Sequence, residues 1–288
     1  MKKSYIKYFA ALLLFGTNGI VASFIDLSSY EIVLLRTFIG SILLIALFFL
    51  TRNKLTFYKH KKDSLFLLLS GIAMGTSWMF LYEAYAQIGV SIASLCYYCG
   101  PVIVMALSPI LFKEKLTALK LFGFAAVLIG IVLVNGSVFD GNNNLWGIFC
   151  GLMSALMYAA MVICNKKAQR IQGIENATLQ LFASFLTVFI FVLFKQGLTF
   201  HMHTEDIIPM LILGLFNTGI GCFFYFSSIG KLAIQTVAVC GYLEPLSAVI
   251  FSVVLLKEYL SPIQISGAIL IIGGAIFSEL ISKKNKNG

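Results

Sequence analysis

Charge is what this sequence has least of. Only 11% of its 288 residues are Asp, Glu, Lys or Arg, roughly half the share of an ordinary soluble domain, and this excludes a water-soluble fold. Histidine occurs three times, as His60, His201 and His203, all between apolar runs. H-E-x-x-H and G-x-x-x-x-G-K-[ST] are both absent, so neither a helical zinc site nor a phosphate-binding loop is encoded. Cys96 and Cys99 form C-x-x-C, but none of the other four cysteines supplies a second pair at ligand spacing, and within apolar runs they read as small hydrophobes. No metal, cofactor or catalytic constellation is expected. Proline is scarce, with five in the chain, and this makes the positions of Pro101 and Pro245 informative.

Hydrophobic residues make up 59% of the chain. They fall into ten runs of about 20 residues, the length that crosses a bilayer as a helix. Lipid offers backbone groups no partner outside the helix itself, so an all-α integral membrane fold with ten transmembrane spans is expected. The runs cover approximately 5–25, 30–50, 64–86, 91–112, 117–136, 145–164, 176–195, 207–229, 232–256 and 261–281. A cleaved signal peptide is the competing reading of the first run, which follows Lys2-Lys3. Thr17-Asn18 interrupts that run and it continues beyond any small-residue cleavage site, so it is read as span 1.

The net charge of +9 would suit nucleic acid, but its distribution suits a membrane. With the N-terminus placed in the cytoplasm, 18 of the 21 Lys and Arg residues fall in cytoplasmic segments. Lys195 and Lys257 fall outside and Arg36 lies within a span. This bias predicts a multi-pass protein of the cell (inner) membrane with both termini cytoplasmic. The basic loops would meet anionic lipid headgroups, and no nucleic-acid partner is required.

Cys96 to Val132 recurs without a gap as Cys240 to Ile276, 144 positions later. Ten positions are identical, among them Tyr98/Tyr242, Pro101/Pro245, Lys113/Lys257, Glu114/Glu258, Gly123/Gly267 and Gly130/Gly274. Weaker matches at the same offset join Glu31 to Glu175 and Leu35 to Leu179. The chain therefore reads as two repeats, 1–140 and 145–288, of five spans each. An odd number of spans turns the second repeat upside down, and inverted repeats place a binding site near mid-bilayer with alternate access from the two sides.

Ionisable groups within a bilayer mark a pathway or a buried pair. Glu244 lies halfway along span 9, directly before Pro245, which removes a backbone hydrogen bond there. It could bind a cationic group, exchange a proton, or bond a neighbouring helix. Arg36 and Glu83 lie at similar depth in spans 2 and 3, counting about 1.5 Å per residue, and a structural Arg36–Glu83 ion pair is expected. Two alternatives stay open: Arg36 reaching outward to Glu31, and Glu83 lining the pathway. Trp78 and Tyr82, four apart in span 3, and Tyr97 in span 4 could wall a pocket or hold a cation, although packing is the commoner role of membrane aromatics. Asn18, Tyr158 and Asn217 add polar groups at middle depth, which more often bond a neighbouring helix. Pro101 and Pro245 are the expected hinges. The glycines of spans 5 and 10 are expected to serve close packing, at a homodimer face or between the halves.

The stretches ASLCYYCGPVIVMALSPILFKEKLT and CGYLEPLSAVIFSVVLLKEYLS, each followed by a glycine-bearing span, resemble the EamA family of the drug/metabolite transporter superfamily. The resemblance covers nearly the whole chain. Pro101, Glu114, Pro245 and Glu258 fall on that family's pattern, and Arg36 and Trp78 stand where members often carry them. Lys-Glu replaces the commoner Gly-Glu, and Glu83 is not a residue the family would supply. The resemblance implies a secondary carrier with a central cavity lined by spans 1, 3, 4, 6, 8 and 9, exporting amino acids or related small metabolites. Efflux of aromatic organic cations is the alternative substrate reading. A membrane-embedded regulator or enzyme is disfavoured by the lack of signalling domains and of paired catalytic residues.

Overall fold

The computed structural model describes residues 2–113, 117–135, 145–197, 202–256 and most of 261–277, and every regular element among them is helical. Six segments are long and apolar enough to cross a membrane: Lys2–Ala22, Ser29–Leu50, Lys61–Ile88, Leu145–Lys167, Gly173–Lys195 and Thr204–Ile229. Their outward residues include Leu50, Phe149 and Phe194, an apolar surface that only lipid would cover. Glu114, Lys257 and Glu258 lie outside the described residues.

The first segment is two helices, α1 (Lys2–Gly16) and α2 (Asn18–Ala22), broken at Thr17. The Leu14 carbonyl takes the Thr17 N–H at 3.1 Å and the Thr17 hydroxyl at 2.7 Å, so the helix tightens and turns without proline. Helix α3 (Ser29–Leu50) starts in a capping box. The Ser28 N–H donates to Glu31 at 2.8 Å and the Glu31 N–H returns a bond to the Ser28 hydroxyl. Glu31 is thereby used locally and is not a partner for Arg36.

Spans 3 and 4 were expected to be separated at 87–90, yet helical backbone runs as α4 from Lys61 to Tyr97 and resumes in α5 (Cys99–Phe112). Its contacts with α7 (Leu145–Lys167) show that the chain reverses direction within it. Ser70 reaches Met161, Ser77 reaches Ser154 and Ile88 packs on Gly147, an antiparallel sequence. Cys96 then packs on Gly151 and Gly100 on Ala155 and Tyr158, a parallel one.

The second half continues with α8 (Gly173–Lys195), α9 (Ile207–Leu211), a π-helical segment (Ile212–Ile220), α10 (Gly221–Ile229), α11 (Ile234–Gly241) and α12 (Leu243–Leu256). Helix α6 (Ala118–Asn135) belongs to the first half. The breaks at Tyr98 and Tyr242 have the same backbone, φ −70°, ψ −3° and φ −71°, ψ −4°. Pro101 and Pro245 are each the third residue of the helix that follows. A missing N–H leaves nothing unpaired in a first turn, and the ring disfavours continuing the preceding helix. The helix breaks therefore fall three residues ahead of the prolines.

Contacts recur between the halves with partners exchanged. A Cβ on Gly130 would meet the Gly267 carbonyl oxygen at 2.6 Å, and one on Gly274 would meet that of Gly123 at 2.5 Å. Gly71 packs on Ala183 as Gly214 packs on Ile39. Asp63 accepts the Arg170 N–H at 2.7 Å, and Asp206 accepts the Asp26 N–H at 2.9 Å. The paired glycines thus meet within one chain.

Candidate functional site

The broken and kinked helices meet around a cavity of about 50 Å³ whose lining includes Phe15, Asn18, Trp78, Tyr97, Tyr158, Tyr225 and Glu244. Five of the eight residues singled out from the sequence as substrate-binding are thereby brought together: Asn18, Trp78, Tyr97, Tyr158 and Glu244. This volume holds a few water molecules.

Glu244 is the second residue of α12, placed there by the break at Tyr242. A carboxylate in a helix's first turn is favoured by the exposed N–H groups and the dipole, and this offsets part of the penalty of holding it inside the protein. Ser247 bonds its backbone carbonyl at 2.7 Å. Among the described residues its carboxylate has no hydrogen-bond partner. Aromatic side chains surround it: Tyr97 and Tyr158 have ring centroids 5.3 Å apart, and the Tyr158 and Tyr225 hydroxyls lie within 3.3 Å.

Arg36 is only 2% exposed and does not pair with Glu83. Its Nε donates to the Thr218 hydroxyl at 2.9 Å, its terminal nitrogens reach the Tyr82 hydroxyl and Asn18 Oδ1 at 3.4 Å each, and its guanidinium lies 4.8 Å from the Trp78 ring centroid. Asn217, from the π-helical segment, donates to the Leu14 carbonyl at 3.1 Å, to Thr17 at 2.8 Å and to Asn18 Oδ1 at 3.0 Å. Neither Arg36, Tyr82 nor Asn217 lines the cavity; they stand behind Asn18 and Trp78, which do.

Glu83 is elsewhere. It accepts from Tyr30, from Gln87 at 3.1 Å and from Trp146 at 3.4 Å, and pairs with Lys195 at 3.7 Å. Lys195 sits 4.0 Å over the Tyr30 ring. The expected Arg36–Glu83 pair fails on azimuth: equal depth along two helices does not make two side chains face each other. A separate groove of about 790 Å³ runs past Glu83, Trp146 and Phe194. Sequence reading missed Phe15, Cys222 and Tyr225 as lining residues. Tyr225 was obscured by its phenylalanine neighbours in the run Phe223 to Phe226.

An all-helical membrane protein with an aromatic-walled cavity between broken helices has the architecture of a transporter. The profile of the EamA-like transporter family matches residues 2–136 and again 145–280, and the chain belongs to that family; it is a multi-pass membrane transporter and not an enzyme. It is similar to the uncharacterized transporter YxxF of Bacillus subtilis (strain 168), 23% identical over 98% of this chain and 90% of that one. A "probable amino-acid metabolite efflux pump" of Salmonella typhimurium (strain LT2) is 27% identical over 64% of this chain and 65% of its own length. A protein of known crystal structure aligns with TM-score 0.82 at 17% identity over 96% of this chain and 98% of that one, a likeness of fold alone.

Proposed function

We propose that this protein is a secondary-active exporter of amino acids or related small zwitterionic metabolites, working by alternating access in the cell membrane. The single observation that carries the reading is the pairing of opposite charges about one cavity. The unpartnered Glu244 carboxylate is on its wall and the Arg36 guanidinium stands just behind Asn18 and Trp78. A cation and an anion placed near one cavity, with no salt bridge between them among the described residues, suit a ligand that carries both charges. The relative described as an amino-acid metabolite efflux pump points the same way.

In this reading the chain crosses the membrane ten times as two inverted five-span repeats, 1–140 and 145–288, with both termini cytoplasmic. Exchanged contacts such as Gly130 to Gly267 and Gly123 to Gly274 support the repeat relation, because a two-fold operation converts each contact into the other. The matched breaks at Tyr98 and Tyr242 are the gates, set by Pro101 and Pro245. Glu244 meets the substrate amine and exchanges a proton with it or with solvent during the cycle.

Counterflow in proteoliposomes tests this. Labelled amino acid is expected to accumulate with the wild type, and Glu244→Gln is expected to abolish its dependence on pH between 6 and 8. Transport by that variant at the wild-type rate at every pH across the range excludes the role given to Glu244. The aromatic lining and the carboxylate also suit an aromatic organic cation. Quenching of tryptophan fluorescence by cationic dyes but not by amino acids would favour that second reading.

A further inference from the structure

We infer that Asn18 is the specificity-determining hydrogen-bond donor of the cavity, locked in one orientation by Arg36 and Asn217, and that it selects substrates carrying a carboxylate or carbonyl acceptor. This rests on the proposed transport of zwitterions and assigns the end of the site opposite in chemistry to Glu244.

The orientation of the Asn18 amide follows from its neighbours. Arginine has N–H donors and no acceptor, so the Asn18 atom facing Arg36 at 3.4 Å is the oxygen. Asn217 faces the Leu14 carbonyl, which only accepts, so the Asn217 group there is its NH2; the same NH2 lies 3.0 Å from the Asn18 oxygen. Two independent donors therefore hold one oxygen, and a flip of the amide would set N–H against N–H at both. The Asn18 nitrogen is left with no acceptor among the described residues, on a side chain that lines the cavity.

That nitrogen brings two donors to the site, while Glu244 brings only acceptors as long as it is ionised. A substrate with an oxygen acceptor at one end and an ammonium at the other satisfies both walls. An amine without the acceptor leaves the Asn18 donors unpaired as water is excluded, which costs binding. Arg36 is thus a positioning residue. Its hold on Thr218 and Trp78 ties the direction of the Asn18 amide to α3, to α4 and to the π-helical segment.

The experiment compares binding and counterflow for a panel of α-amino acids, their methyl esters and the corresponding decarboxylated amines. For the wild type, acids and esters are expected to bind about tenfold or more tightly than the amines. Asn18→Asp replaces the donors by an acceptor of the same shape and is expected to remove or reverse that ratio. Arg36→Met removes one of the two donors that hold the amide and is expected to lower the ratio, while Arg36→Lys restores it in part. A wild type that binds amines as well as acids overturns the inference without the need for any variant. If the wild type prefers the acids and Asn18→Asp retains that preference, Asn18 is excluded while the transport of zwitterions stands. If no zwitterion is transported, both fall.

Discussion

The hydroxyl of Tyr242 donates to the backbone carbonyl of Tyr98 across 2.9 Å. Each residue is the break in its own helix, and the two occupy the same position in the duplicated sequence. The bond uses one side chain and one backbone group, so the two tyrosines, identical in type, are unequal in role. Tyr242→Phe is expected to lose about 1 kcal/mol of stability, read as a lower midpoint of denaturation in detergent. Tyr98→Phe leaves this bond in place and is expected to fall well short of that loss.

The crossing of the two halves at glycines should tolerate nothing larger. Alanine at Gly130 or Gly274 puts a methyl 2.6 or 2.5 Å from a backbone carbonyl oxygen, and backbone cannot move aside as a flexible side chain can. Either substitution is expected to cost about 1–3 kcal/mol, as in other overpacked cores, and to broaden the monodisperse peak in size-exclusion chromatography.

Glu83 and Lys195 are part-exposed, at 19% and 44% of their side-chain surface. A pair in such a position contributes about 0–1 kcal/mol. Glu83→Gln is accordingly expected to change stability little and to leave counterflow at wild-type rates, whereas Glu244→Gln is not. A large transport defect in Glu83→Gln would return Glu83 to the pathway.

Thr218 takes the Arg36 Nε and spends its own proton on the Leu213 carbonyl five residues back, at 2.8 Å. Thr218→Val keeps the shape and removes both bonds. The buried guanidinium N–H is then unpaired, at a cost of about 1–3 kcal/mol, measurable by thermal unfolding, and the preference for acids over amines is expected to weaken with it.

How far the sequence could be read depended on what kind of signal each feature left. Apolar runs are set by the thickness of the membrane, so Ser29–Leu50 and Gly173–Lys195 could be placed to within a few residues. The prolines announced a disruption in spans 4 and 9, and the shift of each break to the preceding tyrosine follows from proline's preference for a first turn. The break at Thr17 left only a polar pair in an apolar run, and the π-helical segment left nothing, since one extra residue per turn changes no composition. Asn18, Trp78, Tyr97, Tyr158 and Glu244 were legible as costly polar or aromatic groups at depth. Their partners were not, because depth is a one-dimensional coordinate and pairing needs the angle around the helix as well. Lys195 shows this: counted only as a charge on the outer side, it is the ion partner of Glu83.

The smallness of the central cavity has a consequence for proton leak. Tyr97, Tyr158, Tyr225, Trp78 and Phe15 pack around it and leave room for a few waters. A continuous file of water through a membrane would conduct protons and dissipate an ion gradient. Aromatic side chains packed around so small a space interrupt such a file, which keeps the membrane electrically tight.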